Sequence, residues 1–136
     1  MARLKLETVH GPPRRHIAKG LRAHNVRAVG KLDYKPLTIT VREGKDIVGG
    51  LAGHTIFGWL FVDLLWVSDE RRRKGLGRAL MKRAESEARK RGARNGYLTT
   101  LSFQAPGFYK KLGYRQFGRL DDFPKGHTLH WMTKAL

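Results

Sequence analysis

Apolar positions in this chain come first in short β-branched and aromatic runs and then in a four-residue rhythm. The stretch PLTITVREGKDIVGGLAGHTIFGWLFVDLLWV is interrupted by the turn-forming EGKD and by Gly58. It predicts three strands, at roughly 37–42, 46–57 and 59–67, joined as an antiparallel meander. Alternation along the third puts Trp59, Phe61, Asp63, Leu65 and Val67 on one face. From Gly75 the period changes. Leu76, Leu80, Ala84 and Ala88 recur every four residues, and Glu85 to Arg89 and Glu87 to Arg91 have the spacing of helix-supporting pairs, with Gly92 as the stop. Upstream, PPRRHIAKGLRAHN at 12–25 opens with prolines suited to a first helical turn and spaces Ile17 and Leu21 four apart, which predicts a short helix weakened by Gly20. After the long helix, NGYLTTLS at 95–102 reads as a strand and QAPGFYKKLGY as a short helix ending at Gly113. Residues 114–119 and 127–133 read as two last strands around the turn-rich LDDFPKG. The order predicts a mixed α/β sheet in which the long helix is a crossover between two strands.

Composition narrows the classes. A chain of 136 residues fits one domain, 1–136, with a single core. With no cysteine, disulfides, thiol nucleophiles and Cys-ligated zinc are excluded. The start, MARLKLETVH, lacks the apolar stretch of a signal peptide, and WLFVDLLWV is too short to span a bilayer and carries Asp63. The expectation is a soluble cytoplasmic protein without a membrane role. Charge changes the picture further: 28 Lys plus Arg against 11 Asp plus Glu leave +17. Such a chain attracts anions, whether nucleic acid, acidic protein, membrane surface or a phosphorylated small molecule. The basic residues are spread along the sequence rather than gathered in a tail, as on a solvated surface.

One cluster is more specific. DERRRKGLGRAL at 69–80 lies between the third strand and the long helix and sets basic residues around Gly75 and Gly77. Glycines at that junction expose backbone N–H groups at the positive end of a helix dipole, which is a ready anion site. A dinucleotide fingerprint would need a small third residue where Leu80 stands, and no Walker loop is present. What remains is Arg72-x-x-Gly75-x-Gly77.

That signature, RRKGLG between a strand and a long helix, resembles the R/Q-x-x-G-x-G/A motif of the GNAT superfamily of acetyl-CoA-dependent N-acyltransferases. FYKKLGY at 108–114 resembles the family's late F-Y-x-K-x-G-F/Y motif, and the strand order also fits, so the resemblance covers about residues 37–133. IVGGLAG, LTTLSFQAPGFY and the DDFPKGH turn are similar to a bacterial branch of small members. The resemblance implies a GNAT-like mixed central sheet of six to seven strands with flanking helices, acetyl-CoA as co-substrate, no metal, and direct transfer to a primary amine. It further implies that the backbone of Arg72, Arg73, Lys74, Gly75, Leu76 and Gly77 wraps the pyrophosphate, while Leu65 and Val67 bond the pantetheine arm through the main chain. Arg71, Arg73, Lys74 and Arg78 are otherwise surface charges within reach of a 3′-phosphate. The segment before residue 37 is short for the two helices many members place there, so the acceptor is left open. Thr99 stands where related sequences tend to carry an acidic residue, and no carboxylate is assigned there.

By the same resemblance Tyr109 is the general acid, a phenol that is protonated at neutral pH; the alternative is an aromatic packed at a helix start. Asp63 is the candidate base, and the alternatives are a sheet-edge charge or a satisfied buried carboxylate. Glu43 reads as a turn residue. His54, His127 and His130 read as ordinary surface or core, the last two too poorly aligned to share a metal. The competing reading is a basic nucleic-acid-binding module, against which Trp59, Phe61 and Trp66 lie in runs that look buried rather than interleaved with basic residues. Combined readings are an acetyltransferase for tRNA- or ribosome-associated amines, with weak nucleic-acid contact through net charge, and an inactive CoA sensor. A homodimer is compatible with all of them.

Overall fold

The computed structural model describes residues 1–136, which form two compact units, Met1–Leu32 and Asp33–Leu136. The first holds α1, Gly11–Val29, which starts on the two prolines and runs through Gly20 to end at Gly30 with φ +80°. It is longer than the 12–25 expected, and its Ile17 and Leu21 are exposed.

The second unit is a six-stranded sheet with two helices. Its elements are β1 (Lys35–Glu43), β2 (Asp46–Ile56), β3 (Trp59–Val67), α2 (Leu76–Lys90), β4 (Asn95–Leu101), α3 (Pro106–Lys111), β5 (Arg115–Asp121) and β6 (Thr128–Ala135). The sheet order is β1-β2-β3-β4-β6-β5. Every neighbouring pair is antiparallel except β3 and β4, which run parallel because α2 returns the chain between them. This is the mixed α/β architecture expected from the sequence, with the β2–β3 turn made by Phe57 and Gly58, both at positive φ.

The core lies between the sheet and α2. Leu80, Ala84 and Ala88 of the four-residue stripe, with Met81 beside them, meet Leu51, Leu60, Val62, Leu98 and Met132 from the strands, while Leu76, the first of the stripe, is half-buried outside this core. The small Ala84 and Ala88 let the helix sit close, and each large side chain fully buried there contributes ~1.5–3 kcal/mol. Glu85 also lies on this buried face, 3% exposed. Its carboxylate accepts from the Tyr114 hydroxyl at 2.8 Å and from Lys134 Nζ at 2.9 Å, so the charge is paired. The Arg89 partner expected from spacing is farther, at 3.9 Å. Arg91 does not serve Glu87; its guanidinium donates to the Lys35 and Pro36 carbonyls.

β3 corrects one expectation. Its pairing with β2 runs Gly53 to Val62 and then Ala52 to Leu64, leaving Asp63 as an extra residue in a β-bulge. The bulge reverses the alternation. Leu60 and Val62 are buried, and Leu65 and Val67, not Leu64 and Trp66, pack against the core beyond it. Trp59, Phe61, Asp63, Leu65 and Val67 therefore do not share one face, and Asp63 is exposed rather than set among apolar groups. Trp59 and Trp66 are exposed as well, against the burial expected from their run. Gly53 makes the bulge possible, since a Cβ there would lie 2.1 Å from the Phe61 carbonyl oxygen. Gly53→Ala is expected to cost about 1–3 kcal/mol of stability through forced backbone displacement, read as a lower urea midpoint; an unchanged midpoint would show that the strands can part freely here.

Candidate active site

The parallel ladder between β3 and β4 starts at Trp59 and Asn95 and stops at Val62 and Leu98. Beyond that point the strands carry no ladder to each other, and a slot of about 1020 Å³ opens between them. Residues of both sheet faces line it: Leu65, Thr100 and Tyr109 on the α2 side, Leu64, Trp66 and Thr99 on the other. The β4-facing backbone of residues 63–67 is thus available to a guest chain that can supply strand-like hydrogen bonds.

At one end of the slot the loop after β3 is braced by its own arginines. Residues Asp69–Arg71 form a 3₁₀ turn. Arg71 ties it to the β1–β2 hairpin through Glu43, with Nε to Oε1 at 2.9 Å, and to Glu70 at 2.7 Å. That contact makes Glu43 more than a turn residue: the hydrogen bond from Arg71 holds its carboxyl below the usual range, and Glu43 in turn pushes the guanidinium pKa up. Arg72 Nε donates to the Val67 carbonyl at 3.2 Å and its terminal nitrogen pairs with Asp69 at 3.2 Å. Its side chain fixes the loop to the end of β3. Arg73 and Gly75 then take positive φ, 63° and 79°, and turn the chain into α2.

α2 begins without a cap. No side chain bonds its first turn, and no acidic residue lies in it. The first helical donor with a partner is the Ala79 N–H, at 3.0 Å from the Gly75 carbonyl. The N–H groups of Leu76, Gly77 and Arg78 are left over, at the positive end of a 15-residue helix. Gly77 lies under Phe108, where a Cβ would come within 3.3 Å of the ring. Gly75, Leu76, Gly77, Arg71, Arg72, Arg73 and Arg78 all line the slot. Together they make an anion cradle of backbone donors and cations, open to a phosphate diester or pyrophosphate.

Tyr109 enters from α3. That helix is held to β4 by the Ala105 N–H on Thr100 Oγ1, at 3.3 Å, and by Gln104 Oε1, which accepts from the Leu101 N–H at 2.8 Å. The Tyr109 carbonyl takes the Tyr114 N–H at 3.0 Å, and the two rings meet edge on at 6.1 Å. Tyr109 is 8% exposed while lining the slot, and burial pushes its phenol above the ordinary value. The hydroxyl stays a donor through neutral pH. Asp63 is the single carboxylate on the slot wall.

Of the residues singled out from sequence, Asp63, Leu65, Val67, Arg72, Arg73, Gly75, Leu76, Gly77 and Tyr109 meet around this slot, and Lys74 is absent from its lining. Sequence reasoning missed Leu64, Trp66 and Phe103. His130 is engaged at Gln116 Oε1, and His127 is bonded to Ser102 Oγ and meets the ring of Phe103, a slot residue, edge on at 5.0 Å.

Comparison with known proteins bears on the family and the fold. The sequence profile described as the acetyltransferase (GNAT) family matches residues 10–114. A blasticidin-S acetyltransferase of Streptomyces morookaense is 39% identical over 132 residues, covering 91% of this chain and 97% of its own. An acetyltransferase of Agrobacterium fabrum is 37% identical over 113 residues, 82% of each chain. The crystal structure of an acetyltransferase from Bacillus cereus superposes with a TM-score of 0.86 at 34% identity, over 98% of both chains.

Proposed function

Because the chain belongs to the acetyltransferase (GNAT) family, we propose that it holds acetyl-CoA in the slot between β3 and β4 and passes the acetyl group directly to a primary amine of a small molecule. The activity is N-acetyl transfer from acetyl-CoA; the residue roles and the acceptor are our reading. The observation that carries it is the end of the β3–β4 ladder beside an uncapped helix N-terminus. The pyrophosphate rests on the N–H groups of Leu76, Gly77 and Arg78, with Arg73 and Arg78 as counter-charges. Leu65 and Val67 offer main-chain bonds to the pantetheine arm. Arg72 acts through the loop it braces.

The acceptor arrives as an ammonium and is drawn to Asp63, the one negative group on the slot wall. Asp63, directly or through water, takes its proton. The neutral nitrogen attacks the thioester carbonyl, the C–S bond breaks, the Tyr109 phenol protonates the departing sulfur, and the second proton shed by the nitrogen as the amide forms passes through solvent to restore the phenol. The whole chain, 1–136, acts as one such domain in the cytoplasm, where acetyl-CoA is at hand. A small-molecule acceptor is favoured by the relative named for blasticidin S; an amine on tRNA or the ribosome is the competing acceptor that the charge of +17 would suit. The test is thiol release from acetyl-CoA with an amine panel that includes blasticidin S and aminoacyl-tRNA. Release matched by an acetylated small-molecule product is expected. Release with aminoacyl-tRNA alone would replace the acceptor, and release with none of the panel would overturn the reading.

A further inference from the structure

The wall of the slot that faces away from α2 has a composition of its own. Leu64 is 63% exposed, Trp66 is 52% exposed and Phe103 is 56% exposed, and all three line the slot. Large apolar groups left this open beside a reaction centre invite contact with a ligand. Their exposure is built in. Across the β2 ladder, Trp66 pairs with Gly50 and Leu64 with Ala52, so the neighbouring strand offers no side chain large enough to cover them. On the β4 side the ladder has already ended. The indole is therefore about half open, 52% exposed, and the bulge at Asp63 is what turns it to this side of the sheet, away from the anion cradle.

The geometry points to an acceptor of a definite class: a primary amine carried on a planar aromatic or heteroaromatic ring, the ring lying on Trp66 with Leu64 and Phe103 at its edges, and the ammonium directed to Asp63. This assignment rests on the acetyl-transfer reading and adds the specificity-determining residue to it. Trp66 sits between Leu65 and Val67 in the strand, so a ring placed on it is brought beside the pantetheine path without entering the cofactor's side. A flat ring gains stacking contact that a puckered ring of equal bulk cannot make. A polycation such as a polyamine finds one carboxylate and several arginines on the slot wall.

The experiment compares 2-phenylethylamine with 2-cyclohexylethylamine, which match in length and bulk and differ in planarity. Each is tested as acceptor with acetyl-CoA and, separately, as a ligand of the protein saturated with CoA, where the Trp66 indole N–H resonance is followed by NMR. The planar amine is expected to be acetylated with a kcat/KM on the order of tenfold higher and to shift the Trp66 signal through its ring current. Trp66→Ala should bring the ratio close to one, while Trp66→Phe keeps most of it. Equal efficiency for the two amines, or a preference that survives Trp66→Ala, overturns the assignment and leaves the transfer reading intact. A Trp66 shift with the planar amine alone, without acetylation of either, supports the platform and counts against transfer. No acetylation and no shift overturns the assignment.

Discussion

Tyr109→Phe is expected to lower the acetyl-transfer rate by ~10²- to 10⁴-fold, the usual worth of a positioned acid, with acetyl-CoA affinity little changed. The substitution removes one oxygen and keeps the ring, so the edge-on contacts with Phe108 and Tyr114 persist. The pH profile gives an independent sign. Burial raises the Tyr109 pKa, so the protonated donor is fully present at neutral pH and is lost only as pH climbs past the ordinary phenol value of ~10. The parent rate should therefore rise with pH as the amine loses its proton, and fall only beyond the ordinary tyrosine range. Isothermal titration with acetyl-CoA and steady-state rates across pH separate the two effects. A variant turning over within about twofold of the parent would make Tyr109 a packing residue.

The second large effect is expected at the cradle. Gly77→Glu places a carboxylate among the free N–H groups of α2, where it should stabilise the helix by ~0.3–1 kcal/mol while opposing a pyrophosphate. Like charges so placed cost several kcal/mol, so CoA affinity should fall by roughly 100-fold or more. The two signs are opposite, which excludes misfolding as the cause. Phe108, 3.3 Å from the new Cβ, must shift by a few tenths of an ångström, and Gly77→Ala isolates that steric part. Calorimetry with CoA and a thermal melt together make the test; retained affinity with a raised melting temperature would place the anion elsewhere.

Periodicity made most of this fold legible. The four-residue stripe of α2 and the β-branched runs of the meander each obey one dominant pattern, and both stand where the pattern puts them. The residues of the proposed anion cradle were visible for a different reason, since Gly75 and Gly77 stand at a strand-to-helix junction where the first N–H groups of α2 are unpaired. The bulge was not. Alternation assumes an unbroken ladder, and only the pairing of β2 with β3 shows that Asp63 is the extra residue. A signal was present in Gly53, because a glycine inside a strand marks close backbone approach. Trp66 was misread as buried because hydrophobicity reports that a side chain prefers cover; whether cover exists depends on Gly50 and Ala52, one strand away. Glu85 was read as a helix-supporting partner of Arg89 because its closer partners, Tyr114 and Lys134, lie 29 and 49 residues further along, beyond any helical spacing.

The slot between β3 and β4 has residues of both sheet faces in its walls, and this bears on the order of events. A cofactor resting on α2 and an acceptor lying on Trp66, as proposed, would take opposite sheet faces of the slot, so neither would have to leave before the other arrives. Initial-rate plots at several fixed acceptor concentrations should intersect rather than run parallel, since both reactants occupy the protein together and no acetylated side chain has to wait between half-reactions. The amide can then depart from its own face while CoA is still seated. In that case spent CoA, competing with acetyl-CoA for the same place, governs the pace of each round.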